Sequence, residues 1–255
     1  MKIKRIILFL LPVLILTAGN VFAHDKGDLM LNIEPQIGFA FPDIGVKQDG
    51  VDWSKTTDDW ESKSPTIIGL DFAFRATVHY YFLSFIGINA GIGISGFYDF
   101  YSVTGEGWLY DDEDDEWYEE KLTRNLDFAA VYFTIPFGLR FSLSALAVGG
   151  GLTVNIPLTS GSAFWVGDSS KNSVKDDDFK VDTYMGWYVD FGFDMSGKKG
   201  RAGGFGLLAR VSGSLSDRIA KTKTPGFEYK PFRQFAVSLV FQAASELGNY
   251  PIGGK

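Results

Sequence analysis

Apolar and polar residues alternate one for one along eight separate stretches of this chain. In residues 28–41 one row reads Leu29, Leu31, Ile33, Pro35, Ile37, Phe39 and Phe41, and the other reads Met30, Asn32, Glu34, Gln36, Gly38 and Ala40. A period of two puts successive side chains on opposite faces of an extended backbone, so the stretch predicts a β-strand. The same alternation recurs over residues 68–78, 86–95, 129–141, 146–156, 181–194, 205–212 and 235–242. The intervening segments run long at 42–64, 101–124, 159–178 and 216–230, and short at 79–82, near Leu143 and Ser144, and at 196–203. Sequential antiparallel strands with one set of short ends and one set of long ends describe a meander, and closing it pairs every edge. The expected fold is all-β: one eight-stranded antiparallel up-and-down β-barrel, with no linker or second domain.

Two barrels share this pattern, a soluble one with an apolar lumen and a transmembrane one with an apolar outside. The polar row separates them. It is mostly Gly, Ala, Ser, Thr and Asn with a few scattered charges, which suits a narrow lumen and not a solubilising surface. Each strand offers about 10 to 14 residues, enough for the 9 to 11 that a tilted spanning strand needs. Tyr80, Tyr81, Phe82, Phe85, Phe141 and Trp187 fall near strand ends, where interfacial girdles sit. Pro35 and Pro136 each remove a ladder donor where a barrel has no free edge, and β-bulges are expected there.

Charges in such a lumen need partners. If the hairpin about Gly200 is symmetric, Asp190 lies across from Arg210, and a lumenal ion pair is expected. A second network is expected among Glu34, Asp71 and Arg75 on the first two strands, with Arg140 near the short-turn end. The pair, together with Tyr132, Tyr184 and Tyr188, argues for a plug. The abundant lumenal glycine argues for water and a narrow passage.

Lys2, Lys4 and Arg5, the apolar run 6–16 and Val21-Phe22-Ala23 read as a signal peptide, 1–23, cleaved before His24 to leave one domain, 24–255. Its removal takes the net charge from −7 to −10. That balance lacks the basic footprint of a nucleic-acid binder. The chain has no Cys, which excludes disulfides, thiol nucleophiles and thiolate metal sites. Asp111, Asp112, Glu113, Asp114, Asp115 and Glu116 form a dense acidic run on the second long connection. Carboxylates suit a divalent cation, but the calcium-loop spacing and its central Gly are missing, so a solvated acidic loop is expected and no metal is assigned. Lys221, Lys223 and Lys230 on the last long connection suit a phosphate instead, and a solvated loop is again expected. Gly91-Ile-Gly-Ile-Ser-Gly96 spells a dinucleotide fingerprint, yet it lies inside an alternating strand with no helix to meet a phosphate. No cofactor is expected. Only His24 and His79 are available as imidazole bases, one at the new N-terminus and one in a short turn, so no catalytic residue is assigned and no enzyme is expected.

The exported meander, the strand Phe133-Thr-Ile-Pro-Phe-Gly-Leu-Arg-Phe141 and the strand Gly149-Gly-Gly-Leu-Thr-Val-Asn155 resemble the small outer-membrane β-barrel (porin-like) family of the OmpX, OmpA-barrel and OmpW type. The resemblance implies the outer membrane of a Gram-negative-type (diderm) bacterium, both termini in the periplasm and long loops outside. Implied partners are outer-membrane lipid, the barrel-assembly machinery during biogenesis, and an extracellular ligand or small solute. Family members end on an aromatic strand that this machinery reads; Phe235-Ala-Val-Ser-Leu-Val-Phe241 is similar, although 14 residues follow it. Two roles stay open: a structural or surface-interaction protein acting through its loops, and an OmpW-like narrow channel for small solutes.

Overall fold

A computed structural model describes residues 24–43, 46–48, 51–52, 60–62, 66–111, 116–143, 145–158, 162–166, 173–175, 179–195, 203–222, 227–229 and 233–250. Eight strands form its wall: β1 Asp28–Asp43, β2 Thr66–Leu83, β3 Ile86–Asp111, β4 Glu116–Leu143, β5 Leu146–Pro157, β6 Tyr184–Asp194, β7 Gly203–Ser214 and β8 Arg233–Asn249. Each pairs antiparallel with its neighbours in sequence, and β8 pairs with β1 to close the ring. This is the eight-stranded up-and-down barrel that the alternation predicts.

Its polarity is the reverse of a soluble core. Ile37, Phe39, Phe74, Phe191 and Phe205 point outward and are 57–62% exposed, whereas Asn32, Glu34, Asp99, Thr134, Arg140 and Arg210 point inward and are at most 3% exposed. A continuous apolar belt of this kind would drive aggregation in water. Hydrocarbon solvates it, and closure pairs both edges of every stave, so the wall presents no open sheet edge at that depth. The architecture is that of a membrane-spanning barrel.

The short turns and both ends of the described chain share one rim. Gly27 N donates to Tyr81 O and Tyr250 N donates to Gly27 O, both at 2.7 Å, beside the turn where Leu83 faces Ile86. At the other rim, short strands decorate the long connections. Val46–Gln48, Val51–Asp52 and Phe227–Tyr229 make a small sheet, and Phe179–Val181 pairs with Ile219–Thr222.

Several expectations need correction. Residues 101–124 are not a loop: β3 and β4 stay in register from Ser102↔Asn125 to Asp111↔Glu116. The nine pairs beyond Ser102 add about 30 Å of ladder, because paired backbone needs no apolar alternation to continue. No register shift marks either proline. Pairing of β1 with β8 skips Glu34 and Pro35 and resumes unshifted at Gln36↔Val240, while Pro35 keeps Phe74 on the other side. Pro136 likewise keeps Thr153 and loses only its β3 partner. An N–H in an antiparallel strand faces one neighbour alone, so each proline costs one bond and no bulge.

His79 and Tyr81 belong to β2 and not to a turn, since the inward–outward alternation runs on to Leu83; both are buried inside, which takes Tyr81 out of the girdle. The sixth stave starts at Tyr184. Val181 turns inward on a separate short strand, held by Asp182 N donating to Arg218 O at 2.9 Å. The last stave runs past Phe241 to Asn249, which faces Asp28.

Candidate functional site in the barrel lumen

The lumen is where buried charge collects, and it divides into three layers. Nearest the short turns, Arg140 on β4 donates from Nη2 to Asp194 Oδ2 at 2.6 Å and to Gln242 Oε1 at 3.0 Å. Arg140 therefore does not join Glu34, Asp71 and Arg75. Asp194 on β6, two staves away, meets it over the intervening β5. Below them the His24 ring stacks on Tyr81 with centroids 3.6 Å apart and planes 16° apart, and Tyr81 Oη lies 3.3 Å from Ser142 Oγ. Burial pushes the His24 imidazole down to about 4. The carboxylates of Asp194 and Asp28 pull the other way, the latter 3.9 Å from Nδ1.

The middle layer is built on Arg210. Its Nε donates to Asp190 Oδ1 at 2.6 Å and its Nη2 to Asp190 Oδ2 at 2.7 Å, the forked geometry that makes such pairs strong. The register puts these two residues directly opposite each other. The same guanidinium reaches Gln36 Oε1 at 3.0 Å and Glu34 Oε2 at 3.4 Å, and lies 4.7 Å from the Tyr188 ring centroid. Glu34 also accepts from Thr77 Oγ1 at 2.9 Å and lies 3.6 Å from His79 Nε2. Tyr188 Oη donates to Asn89 Oδ1 at 3.0 Å. One cation thus ties β1, β6 and β7 together across the bore. A Cβ at Gly138 would press on Gly150 O and approach Tyr188 Oη to 2.7 Å, so glycine leaves room for both the neighbouring backbone and that phenol.

The upper layer is looser. Asp71 accepts from Gln36 Nε2 and from Ser238 Oγ, the latter at 2.9 Å. Thr134 links Ser95, at 2.9 Å, to Asn155, which donates to Thr153 Oγ1 at 2.9 Å. Tyr132 meets Tyr184 edge-on at 5.1 Å. Arg218, on the connection after β7, folds back into the barrel with its guanidinium 4.7 Å from the Phe97 ring and 4.6 Å from the Tyr184 ring. A cavity of about 30 Å³ remains, lined among others by Asp71, Arg75, Asn155, Tyr184, Arg218 and Gln234. That volume holds roughly one or two waters.

The expected Glu34–Asp71–Arg75 cluster is therefore distributed over two layers. Glu34 joins Arg210, Asp71 joins Gln36 and Ser238, and Arg75, although the register partner of Glu34, faces the cavity. Asp111 and Glu116 are register partners at the far end of the β3–β4 hairpin. Asp112, Glu113, Asp114 and Asp115 lie outside the described residues, as do the signal segment 1–23, Lys223 and Lys230. Among the described residues no group of three His, Cys, Asp or Glu side chains is placed to hold a metal ion. Asp194, Gln36, His79 and Arg218 join the lumenal network in addition to the expected residues. The first three stand on polar rows that could have flagged them; Arg218 stands in a connection, where alternation carries no signal.

No family model matches the chain. No curated protein matches it either. Among solved structures it is similar to the outer membrane protein OprG from Pseudomonas aeruginosa, at 14% identity over 88% of this chain and 99% of that one, with a TM-score of 0.40. It is also similar to the outer membrane protein AlkL in lipid bilayers, at 13% identity over 88% and 93%, TM-score 0.33. A third likeness is to the outer membrane protease OmpT from Escherichia coli, at 8% identity over 86% and 97%, TM-score 0.34. These are likenesses of fold.

Proposed function

We propose that this chain is an integral outer-membrane barrel of a Gram-negative-type cell that passes no solute through its middle and works through the segments it presents outside. Residues 1–23 serve as the export signal, the barrel-assembly machinery inserts the rest, and the rim holding both termini faces the periplasm. The observation that carries the reading is the middle layer. Arg210, Asp190, Glu34 and Gln36 fill the bore from three staves with side chains at most 6% exposed. The β3–β4 hairpin supplies the outside surface, since nine residue pairs of it rise beyond the lipid belt. The reading is non-enzymatic: His24 and His79 are both buried near the short-turn rim, away from the long connections.

Single-channel recording in planar bilayers, with solute entry into liposomes as a second readout, tests this. The wild-type barrel is expected to be electrically silent, and the double variant Asp190→Ala/Arg210→Ala to conduct or leak. Steady conductance in the wild type would replace this reading with the narrow-channel one. A barrel with the hairpin shortened between Gly105 and Leu122 should insert normally while losing attachment to its extracellular ligand.

A further inference from the structure

We propose that the upper lumenal cavity is a binding site for one small monoanion, of the size of a halide or a bare carboxylate, held between Arg75 and Arg218. Both arginines are buried, 6% and 5% exposed, and both line the same cavity. Their Nε and Nη1 atoms have no hydrogen-bond partner, in contrast to Arg210, whose three nitrogens all donate. Arg218 has only ring faces against its guanidinium plane, Phe97 at 4.7 Å and Tyr184 at 4.6 Å. Stacking of this kind orients the fork and leaves its edge N–H groups free to donate.

A buried guanidinium without acceptors is costly, and two converge on one space. The anionic groups nearby do not satisfy them. Asp71 is on the cavity wall but spends its Oδ2 on Gln36 and Ser238, and Asp99 behind it is approached by Gln234 Nε2 at 3.5 Å. Neither makes an ion pair with Arg75 or Arg218 within 4 Å. Ser95 and Asn155 add polar groups to the wall. Gly186 and Gly213, also on the wall, keep the space clear: a Cβ on Gly186 would come 2.7 Å from Thr153 Oγ1. At about 30 Å³ the space matches a single small anion. The site is independent of whether the lumen conducts, because it lies above the Arg210 layer.

The test is the thermal unfolding midpoint of the intact protein, extracted from membranes into detergent and read by its heat-dependent gel mobility. Chloride, formate and gluconate are compared at one ionic strength. Gluconate is too large for the cavity and serves as the reference. A tenfold excess of a bound anion over its dissociation constant multiplies the folding equilibrium by about 11, which raises the midpoint by about 3–6 °C for a chain of this length. Chloride or formate should give a saturable rise of that order. Arg75→Gln/Arg218→Gln should unfold at one temperature in all three salts, and no lower than the wild type in gluconate. Bromide soaked into crystals should give an anomalous peak between the two guanidinium groups. Equal midpoints for the wild type in all three salts, a rise that survives in the double variant, or water alone between the arginines would overturn the proposal.

Discussion

The middle and upper layers of the lumen use the same residue type to opposite effect. Arg210 has a forked carboxylate, a second carboxylate and an amide in reach, and it closes the bore. Arg75 and Arg218 are buried as deeply, but they face a cavity and have no such partners. Burial alone therefore does not make an arginine a structural clamp. What matters is whether the facing strands bring acceptors to it, and the β6–β7 register does so for Arg210 by setting Asp190 directly opposite.

The sharpest way to break that contrast is to remove the clamp. Arg210→Ala leaves Asp190 and Glu34 buried without their cation, and losing one partner of a buried pair costs about 3–5 kcal/mol. Urea unfolding in lipid vesicles should show that loss, and Arg140→Ala, which takes the guanidinium away from Asp194 and Gln242, should also destabilise the barrel. The rim below tests whether the lower lumen is as dry as the middle. His24 has its folded-state pKa pushed down to about 4 from 6.5. The unfolded chain thus binds the extra proton first, and stability is expected to fall as pH drops from about 6.5 to 4, by up to about 1.4 kcal/mol per pH unit. Equilibrium unfolding across that range checks this; His24→Phe should flatten the dependence.

A smaller effect sharpens the assignment of partners. The cycle of Asp190→Ala, Arg210→Ala and the double variant should give a coupling of about 0.5–3 kcal/mol, below the single-variant loss because Glu34 and Gln36 also contact the guanidinium. The smallest effect belongs to the upper layer. Arg75→Gln, removing a buried charge that no acceptor compensates, should change the unfolding free energy measured in urea by less than about 1 kcal/mol, and not downward when gluconate is the anion. A loss as large as that of Arg210→Ala would erase the distinction between the layers.

Much of this was legible in the sequence, for identifiable reasons. The eight staves and their inward faces follow from a period of two. Asp190 and Arg210 could be set opposite each other because a short hairpin fixes register, and any two residues whose numbers share its sum then face one another. Contacts across the bore follow no such arithmetic. Arg140 and Asp194 meet from β4 and β6 without being ladder neighbours, and Gln242 reaches them from β8. Arg218 enters from a connection. The length of the β3–β4 hairpin was hidden for a different reason: residues 101–124 lack the one-for-one alternation that marks the other staves, while backbone pairing continues without it. Neither proline bulges its strand because the donor each lacks would face one neighbour only, and pairing on the other side holds the register.

The central claim is that the bore is sealed at and below Arg210 and open only in a small space above it. The absence of cysteine makes the chain a clean background for single thiols. Ser142, fully buried beneath the clamp, and Ser212, on the cavity wall, can each be changed to Cys and challenged in vesicles with a small water-soluble thiol reagent. The account predicts that Ser212→Cys reacts and Ser142→Cys does not until the barrel is unfolded. Equal labelling rates at the two positions in the folded barrel would contradict it.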